Sequence, residues 1–577
     1  MTKRIMFIAP YSVIEPLGLL HLGGLARDLG WERKYFLLKG NDSEELIEKI
    51  VIFNPDFIGF SFYTGNHLQI FELAKLVKEK FPSIKLIAGG PNPTYFPRET
   101  EKHFNYVVIS EGFRSLRNIL NGEAEEGILR KTASEPFPHP DREGLYKDYP
   151  SYAKNPIKSI IAMTGCPFRC PYCYNSSNAE DLAGGDEELL KLLSEKLGED
   201  RRLFPHNLRT PEDVVREGME IVEKWGEHTK MIYFQDDHFP PNIGWMKKFI
   251  ILWKEKVGLP FHSQMRWENA SPENLDLLKE AGCFGLTLAN EAAEFAVRSE
   301  LLQRHTLPEV IEKGTEEIMK RRLRLRTEQM LGLPYGGTKT PTLINLEADL
   351  ALLELNVNLV EKYGGPLLTW ASVYAPYLGS KLGNYSKEIG FYSGNNDDLS
   401  STFFDISRMK FLKRWIGEKL PEVKDNSEIW LRKVENKRYA EQMAELRNHF
   451  NFFAHVPKGH ILAKKYLTSP EPFSHERLGK ETIKHLESLK ENDERAKKKL
   501  EKVEDVKAHI GIHNLSGEKE LSLFNLVPFF AVLPEPEKAV NKVIEYTKET
   551  DGIPVGILST ATRHHLFDLM YDTTTIT

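Results

Sequence analysis

Residues 163 to 176 read MTGCPFRCPYCYNS, and this short stretch holds three of the four cysteines in a chain of 577 residues. The amino-terminal residues MTKRIMFIAPYS lack the apolar core and the small-residue cleavage site of a signal peptide, so we expect a cytoplasmic protein whose thiols stay reduced. In a reducing compartment, a tight cysteine cluster is typical of a metal centre or of redox chemistry. The fourth cysteine, Cys283, stands alone among apolar neighbours, and we expect it to be a small buried hydrophobic side chain.

The spacing of the clustered cysteines is C-x3-C-x2-C, formed by Cys166, Cys170 and Cys173 on one loop. A closed structural zinc site needs four protein ligands, and no further cysteine or histidine lies near enough in the sequence to complete one. Three thiolates do suit a four-iron, four-sulfur cluster in which one iron keeps an open coordination position. The loop therefore predicts an iron–sulfur cluster that can bind a substrate or a second cofactor.

The composition is that of an enzyme-sized globular chain. Hydrophobic residues make up 41% and charged residues 28% of the sequence, and the length suggests about three domains. The longest apolar stretch, LSLFNLVPFFAVL, is too short and too interrupted to cross a bilayer. The net charge of −6 disfavours nucleic-acid binding, because such binding needs clustered basic side chains. We therefore expect neither a membrane span nor a nucleic-acid partner.

Residues 1–125 alternate between strand and helix patterns. The apolar runs RIMFIAP, PDFIGFSF, IKLIAGG and YVVIS have strand length, and amphipathic stretches separate them. This alternation predicts an α/β domain of Rossmann type, with a parallel sheet covered on both faces. Ligands of such sheets bind at the carboxyl ends of the strands, where the loops read SFYTGN, GGPNP and SEGF. Small residues there let a backbone approach a bulky ligand, although ordinary turns use them as well.

Residues 126–154 are predicted to be a linker, and residues 155–385 repeat the alternation with six candidate strands. These strands end at SIIAMTG, MIYFQDD, PFHSQMRW, FGLTLANE, RLRTEQMLGLP and LLTWASVYAPY. The pattern predicts a partial (β/α)6 barrel of TIM type, whose chemistry belongs at the carboxyl ends of its strands. Reactive side chains follow those ends at Cys166, Asp236, Asp237, Arg266 and Glu291.

Residues 386–577 become helical and polar, which predicts a mainly helical third domain. The stretch KETIKHLESLKENDERAKKKLEKVEDVKAHIG is typical of a solvated helical hairpin. No motif in this part of the sequence indicates a role for it.

The motif CPFRCPYC resembles the cluster motif of the radical S-adenosylmethionine enzymes, C-x3-C-x-aromatic-C, with Tyr172 in the aromatic position. The later segments RTPEDVVREGMEIVEKWG, LGLPYGG and YAPYLGSKLG resemble the subgroup whose N-terminal domain binds cobalamin. The segments PLGLLHLGGLARDLGW, LIAGGPNPTYFP and VVISEGFRSL resemble that N-terminal domain. The resemblance covers roughly residues 3 to 385, and the C-terminal third resembles no family that we can name.

In that family the open iron binds S-adenosylmethionine, and an electron from the cluster cleaves it to a 5′-deoxyadenosyl radical. The resemblance implies that the three clustered cysteines hold the cluster and that Tyr172 lies beside S-adenosylmethionine. It also implies that Asp236 and Asp237 meet the amino group of this cofactor, and that Arg266 and Glu291 contact its carboxylate or ribose. These pairings place opposite charges together.

The resemblance further implies a cobalamin site lined by Ser61, Thr64, Gly89, Gly90, Pro91, Glu111 and Gly112. The chain departs from the family at Asn92, where a histidine is usual, at Phe113, where a glutamate is usual, and at Ser110, which replaces a glycine. These departures are compatible with a domain that keeps the fold but does not bind cobalamin. The D-x-H-x2-G motif that supplies a histidine to cobalt is absent, as is usual in this subgroup. Tyr63 and His67 are candidates for the lower face of cobalt, and we interpret His67 as an ordinary surface histidine.

The resemblance implies a cobalamin-dependent radical enzyme that acts on an unactivated carbon, with methyl transfer to a small molecule or peptide as the first hypothesis. One alternative is an oxidative cyclase that resembles the anaerobic magnesium-protoporphyrin ester cyclase in domain order. Another is a non-catalytic iron–sulfur or corrinoid binding protein. The expected reductant is a flavodoxin or ferredoxin. We also expect the long insertion at 175–208 to cover the mouth of the barrel.

Overall fold

The computed structural model describes residues 3–40, 42–130, 136–197, 203–204, 206–239, 242–334, 345–399, 407, 409, 426–512, 526–533 and 535–548. The chain divides into two compact units. The first comprises residues 1–265, 277–283 and 375–403, and the second comprises residues 266–276, 284–374 and 404–577. The polar tail YDTTTIT and part of the LGLPYGG segment lie outside the described residues.

The first unit opens with a six-stranded parallel sheet. Its strands lie in the order β2-β1-β3-β4-β5-β6. They are β1 (Arg4–Pro10), β2 (Glu32–Leu38), β3 (Phe57–Ser61), β4 (Lys85–Gly89), β5 (Tyr106–Val108) and β6 (Gly127–Leu129). Because the chain moves from β2 on one side of β1 to β3 on the other, a crevice opens at the carboxyl ends of β1 and β3, where such sheets bind ligands.

Helices cover both faces of this sheet, as the alternating sequence predicts. They are α1 (Leu17–Asp28), α2 (Ser43–Phe53), α3 (His67–Lys80), α4 (Pro91–Tyr95), α5 (Pro97–Glu101) and α6 (Phe113–Asn121). Alternate side chains of a strand point to opposite faces, so Met6 and Ile8 enter one hydrophobic core while Ile5 and Phe7 enter the other. The Rossmann-type fold is therefore confirmed.

Two strands of the first sheet were not among the predicted ones, and both lie at its edges. The strand β2 begins with three charged residues, and β6 has only three residues, Gly127–Leu129. Edge strands need less apolar surface than central ones, so their hydrophobic signal is weak. Since β6 completes the sheet, the N-terminal domain extends into the segment predicted to be the linker.

The barrel strands follow at the predicted places. They are β7 (Ile157–Ile160), β10 (Met231–Phe234) and β11 (Phe261–Met265), and then β12 (Cys283–Glu291), β13 (Arg324–Leu331) and β14 (Leu368–Val373). In the first unit the spatial order is β7-β10-β11, and in the second it is β12-β13-β14, with parallel pairing in each. A short antiparallel ribbon joins β8 (Met163–Thr164) to β9 (Asn207–Leu208). These parallel strands with their helices confirm the predicted half-barrel.

The remaining helices of this part of the chain precede, connect or follow the barrel strands. They are α7 (Arg142–Asp148), α8 (Pro150–Lys154), α9 (Ala179–Ala183), α10 (Glu187–Leu197), α11 (Pro211–Trp225), α12 (Ile243–Lys256), α13 (Pro272–Glu280), α14 (Pro308–Lys320), α15 (Leu346–Tyr363) and α16 (Lys381–Glu388). The start of α11 shows how local sequence sets a boundary. The hydroxyl of Thr210 accepts a hydrogen bond from the Asp213 amide at 3.2 Å, and Pro211 follows at the first helical position.

The C-terminal region is helical, as predicted. Its helices are α17 (Asn426–His455), α18 (Gly459–Thr468), α19 (His475–Leu489), α20 (Glu494–Ile512), α21 (Val527–Val532) and α22 (Pro536–Lys548). The predicted charged hairpin corresponds to α19 and α20, which pack against each other. Within the second unit, Asn451 of α17 accepts hydrogen bonds from the amide and hydroxyl of Thr369 at 2.7 and 3.1 Å, which attaches this region to β14. None of the described helices is long and apolar enough to cross a membrane.

Candidate functional site

The cysteine loop leaves β8 at Gly165, whose positive φ of 74° allows a sharp turn. The amide of Cys173 donates to the Cys170 carbonyl at 2.9 Å, and the Ser176 hydroxyl donates to the carbonyls of Cys170 and Cys173 at 2.6 and 2.9 Å. These bonds close the loop upon itself. They hold Cys170 and Cys173 in a fixed turn before any cofactor binds.

The thiols of this loop are held close enough to interact electrostatically. Burial raises the pKa of Cys173, and the negative charges of Asp237, Cys170 and Cys166 raise it further. A bound cation would stabilise the thiolate. In the described part of the chain, no set of three or more His, Cys, Asp or Glu side chains is arranged to hold one metal ion. A four-iron cluster would take each thiolate on a different iron.

Asp236 and Asp237 follow β10, and the structure gives them different surroundings. Asp236 is fully buried, and its carboxylate accepts hydrogen bonds from the amides of Ala162 and Met163, the latter at 2.7 Å. Burial raises its pKa to about 7. Asp237 instead accepts a hydrogen bond from Asn175 at 2.7 Å and lines a cavity. Asp236 thus holds the backbone before the cysteine loop, while Asp237 faces space that a ligand can enter.

Arg266 and Glu291 lie in the second unit, where each has a local partner. The Arg266 guanidinium stands 3.0 Å from the Glu268 carboxylate. Arg304 donates to the Glu291 carboxylate at 3.0 Å. Glu291 has a φ of 61°, in the left-handed region, at an irregularity that ends the pairing of β12 with β13. Such a conformation in a residue other than glycine is typical of functional sites.

A cavity of about 420 Å³ opens at the carboxyl ends of the strands in the first sheet. Six of the seven residues predicted to contact cobalamin line it, namely Ser61, Gly89, Gly90, Pro91, Glu111 and Gly112. The seventh, Thr64, is not in this lining, and its hydroxyl accepts a hydrogen bond from the buried Asn92 side-chain amide at 3.0 Å. The cavity also reaches residues around the cysteine loop, namely Thr164, Gly165, Tyr174, Asn175 and Asp237.

The loop between β4 and α4 has a shape that only glycine permits. Gly90 has a φ of 95°, and a Cβ atom there would lie 2.9 Å from the carbonyl oxygen of Phe62. At Gly89, in contrast, a Cβ atom would meet nothing within 4 Å, so the cavity side of this loop is open. The Oδ1 atom of Asn92, next to Pro91, is buried without a hydrogen-bond partner. An open backbone surface beside an unsatisfied polar atom fits a bulky polar cofactor such as a corrinoid.

The insertion after the cysteine loop packs against the N-terminal domain, and its covering of the barrel mouth stays a prediction. Its side chains Leu193, Leu197 and Leu203 are fully buried in the core of that domain. Arg130 donates to the Leu197 carbonyl at 2.7 Å. The apolar face of α10 needs a hydrophobic partner, and the side of the first sheet supplies one. The hydrophobic core of the N-terminal domain therefore includes side chains of the insertion.

The insertion also forms one wall of the cavity. Phe204 lines it, and its ring meets the ring of Tyr174 edge to face at 5.1 Å. Asn207 donates to the Glu111 carboxylate at 3.0 Å, and Ser110 donates to the Leu203 carbonyl. Ser110 has a φ of 70°, which explains why a glycine is usual at this position of the family.

His67 is buried rather than on the surface, which corrects our interpretation of it. Its side chain is 3% exposed. The amide of Gly65 donates to Nδ1 at 3.1 Å, and Nε2 lies 3.1 Å from the Asp397 carboxylate. Because both ring nitrogens have partners, His67 has no nitrogen lone pair to offer to cobalt. Tyr63, in contrast, is 38% exposed.

Buried charges join the N-terminal domain to the first part of the barrel. Glu15, after β1, accepts hydrogen bonds from Arg142 of the linker at 3.2 Å and from the Ser159 amide of β7 at 2.6 Å. Arg142 and Glu217 of α11 are both fully buried, and their charged groups stand 2.7 Å apart. Burial opposes the ionisation of Glu217, but Arg209 and Arg142 outweigh it and lower the pKa of Glu217 to about 2. The strand ends of the two domains are thus fixed around the cavity.

Comparisons with known proteins identify the class. Residues 160–335 match the model of the Radical SAM superfamily, where SAM is S-adenosylmethionine, so the half-barrel with its cysteine loop is a radical SAM domain. Residues 3–120 match the model of the B12 binding domain. The chain therefore belongs to the radical SAM enzymes that carry an N-terminal B12 binding domain. The cofactors predicted from the sequence, namely a four-iron, four-sulfur cluster, S-adenosylmethionine and cobalamin, are those of these two domains.

Two curated relatives resemble this chain over a limited stretch. An uncharacterized methyltransferase, PH0819 of Pyrococcus horikoshii, is 27% identical over 192 residues, which cover 28% of this chain and 40% of that protein. The anaerobic magnesium-protoporphyrin IX monomethyl ester cyclase of Synechocystis is 25% identical over 194 residues, which cover 28% of this chain and 38% of that protein. The chain thus spans less than half the length of these relatives.

A solved structure resembles the chain over nearly its whole length. The cobalamin-dependent S-adenosylmethionine radical enzyme OxsB, with aqua-cobalamin bound, gives a TM-score of 0.55 at 12% identity and covers 99% of this chain and 84% of that one. At this identity the likeness concerns the fold, and it extends to the C-terminal region.

Some residues around the cavity had no role in the sequence interpretation. Tyr174 and Asn175 directly follow Cys173, so their nearness to the cysteine loop was a signal that could have been used. Tyr95 and Phe204 are far from the motif in sequence, and only the folded chain brings them to the loop.

Proposed function

We propose that the protein is a cobalamin-dependent radical SAM methyltransferase that acts on an unactivated carbon of a small molecule or peptide. The observation that carries this proposal is the single cavity shared by the strand ends of the B12 binding domain and the residues around the cysteine loop. When bound, the cluster with S-adenosylmethionine supplies a carbon radical and cobalamin supplies a methyl group. Joining the two needs both cofactors to face one space, because the reacting atoms must approach closely.

The roles of individual residues follow from their positions. Cys166, Cys170 and Cys173 are proposed to hold the cluster, with Tyr172 beside S-adenosylmethionine. Asp237 is better placed than Asp236 to receive the amino group of S-adenosylmethionine, since Asp236 is already bonded to backbone amides. Arg266 and Glu291 remain proposed contacts of its carboxylate or ribose.

The six cavity residues predicted to contact cobalamin remain the proposed cobalamin site. Gly89 and Pro91 line the cavity, and Ser61, the register partner of Gly89 on β3, lines it beside them. Thr64 contributes indirectly, because it holds the side chain of Asn92. A flavodoxin or ferredoxin is the proposed reductant.

A radical oxidative cyclase is the second candidate, and the similarity to the magnesium-protoporphyrin ester cyclase favours it. Such an enzyme uses the same domains without net methyl transfer. A non-catalytic binding protein is the third possibility, and the fully formed cysteine loop beside an open cavity argues against it.

The deciding experiment is anaerobic purification with cobalamin supplied, followed by iron, sulfide and corrinoid analysis. The protein is then reduced with dithionite in the presence of S-adenosylmethionine, and the nucleoside products are quantified. A methyltransferase should give one equivalent of S-adenosylhomocysteine per bound corrinoid, in addition to 5′-deoxyadenosine. A cyclase should give 5′-deoxyadenosine without S-adenosylhomocysteine, and a binding protein should give neither.

A further inference from the structure

Tyr95 is the last residue of α4, the short helix that begins at the cavity. Pro91 at its first position lines the cavity, and Tyr95 lies one helical turn further on. The helix is tightly held: the Asn92 amide donates to the Phe62 carbonyl at 3.1 Å, and the Thr94 hydroxyl donates to the Gly90 carbonyl at 2.9 Å. Pro91 and Tyr95 are thus the two ends of one rigid element.

The Tyr95 hydroxyl reaches the cysteine loop. It donates to the carbonyl of Tyr174 at 2.8 Å, and the Ser177 hydroxyl lies 2.9 Å away, placed to donate to the Tyr95 oxygen. The Tyr95 ring is 7% exposed and packs directly on Gly379, where a Cβ atom would come within 2.4 Å of it. The ring therefore has little freedom, and its hydroxyl is a fixed donor.

The carbonyl that Tyr95 binds belongs to the residue directly after Cys173. The hydrogen bonds among Cys170, Cys173 and Ser176 fix the shape of the turn but not its place in the protein. Its place is set by bonds to other elements, which include the Tyr95 hydroxyl and the Leu382 amide, a donor to the Pro171 carbonyl at 3.0 Å. The bond from Tyr95 comes from α4 of the B12 binding domain, the helix whose first residue, Pro91, lines the cavity.

We propose that Tyr95 is a positioning residue that sets the distance between the cobalamin loop and the cluster loop through its hydrogen bond to the Tyr174 carbonyl. The bond also holds the Tyr174 ring, 43% exposed, against Phe204 at the side of the cavity. This inference rests on the proposed function, because a set distance matters only if both cofactors act in one reaction.

The test compares full-length Tyr95→Phe with the parent protein by hydrogen exchange, with and without cofactors. Phenylalanine keeps the ring on Gly379 and removes only the hydroxyl. We expect the amides of residues 173–178 to exchange about 5- to 10-fold faster, since one buried hydrogen bond is lost. Ser177→Ala keeps the bond to Tyr174 and should give a smaller increase. Tyr152→Phe, which removes another buried tyrosine hydroxyl donating to a carbonyl, that of Ser12, should leave these amides unchanged.

A second measurement concerns the loaded enzyme. Pulsed electron paramagnetic resonance of the reduced cluster and cob(II)alamin should give a broader distance distribution in Tyr95→Phe than in Tyr152→Phe, with full iron content in both. Unchanged exchange at 173–178 in Tyr95→Phe, or equal acceleration throughout the first unit, would overturn the proposal. If the protein bound no corrinoid, the proposed function would fail while the exchange result still decided whether Tyr95 holds the loop.

Discussion

The four cysteines differ in what surrounds them. Cys166, Cys170 and Cys173 lie on a loop closed by its own hydrogen bonds, whereas Cys283 is 4% exposed at the start of β12, with the Ser263 hydroxyl 4.0 Å from its sulfur. A small thiol packed in this way behaves as a hydrophobic side chain. The distinction between a ligand set and a core residue was already visible in the sequence spacing.

Replacing Cys166, Cys170 and Cys173 together by alanine should abolish the iron–sulfur cluster, because thiolates are its proposed ligands. Iron and sulfide analysis after anaerobic reconstitution measures this, together with the brown absorption of the cluster. Cys283→Ala is the matched control and should keep full iron content at a cost of about 1 kcal/mol in the free energy of unfolding. Retention of the cluster in the triple variant would show that the loop is not its site.

His67 should not bind cobalt, because both of its ring nitrogens are engaged by Gly65 and Asp397. Electron paramagnetic resonance of the cob(II)alamin form should therefore show no nitrogen superhyperfine splitting. His67→Ala should leave the spectrum unchanged, although it removes buried contacts and lowers stability. A splitting that disappears in His67→Ala would contradict this prediction.

Helix α10 of the insertion buries its apolar face against the N-terminal domain. The helix α10 has an amphipathic sequence, which indicates a buried face but not the surface that buries it. In the structure its leucines complete the core of the N-terminal domain, and the residues after it supply Phe204 to the cavity wall. The insertion is thus expected to shape the cobalamin side of the cavity.

Leu193→Ala should lower the free energy of unfolding by about 2 to 5 kcal/mol, because it removes a fully buried leucine and leaves a void. It should also weaken corrinoid binding, since the wall that carries Phe204 loosens. Urea unfolding and corrinoid titration measure the two effects. The exposed neighbour Lys191 is the control site, where alanine should change stability by less than about 0.5 kcal/mol. Equal behaviour of the two variants would show that the packing of α10 does not support the cavity.

The buried charges around Arg142 act across domains. Glu15, Arg142, Arg209 and Glu217 connect the first strand of the N-terminal domain, the linker, the first barrel strand and α11. Each charge is compensated within the group, so removing one leaves another buried without its partner. The network fixes the N-terminal domain to the first barrel strand and α11, all within the first unit.

Glu217→Gln should lower the free energy of unfolding at pH 7 by about 3 to 5 kcal/mol, because Arg142 and Arg209 lose a buried partner charge. Glu316→Gln, at an exposed pair with Lys320 in the second unit, is the control and should cost about 1 kcal/mol or less. Urea unfolding measures both. A loss at Glu217 no larger than that of the control would contradict the role of the network.

The same carboxylate predicts a pH dependence. The pKa of Glu217 is lowered from 4.5 to about 2 in the folded protein, so the stability that it contributes is complete above pH 4.5 and is lost as the pH falls towards 2. The shift corresponds to about 3 kcal/mol. Between pH 5 and 2.5, the free energy of unfolding should therefore change less with pH in Glu217→Gln than in the parent protein. If the free energy of unfolding changed equally with pH in the variant and the parent, Glu217 would not be the group that causes this pH dependence.

Local patterns in the sequence were enough to predict the cysteine loop, the six barrel strands and the central strands of the first sheet. Each of these depends on spacing over a few residues: three cysteines in eight positions, apolar runs of strand length, and small residues where strands end. The six predicted cobalamin residues that line the cavity came from the resemblance to a known family. Parallel topology then brings strand ends to one edge, so Gly89, Glu111 and Ser61 meet without further information.

Contacts between distant segments were decided only by the folded chain. The packing of α10 on the N-terminal domain, the burial of His67 against Asp397, and the bond from Tyr95 to Tyr174 join residues that are far apart in the sequence, such as Arg130 and Leu197 at 67 positions and His67 and Asp397 at 330. Asp236 and Asp237 are adjacent in the sequence, yet one binds backbone amides and the other faces the cavity. The type of each side chain determines which hydrogen bonds it can form. Its burial and its actual partner depend on how helices and strands pack, because a buried polar group bonds to a group that the fold places beside it.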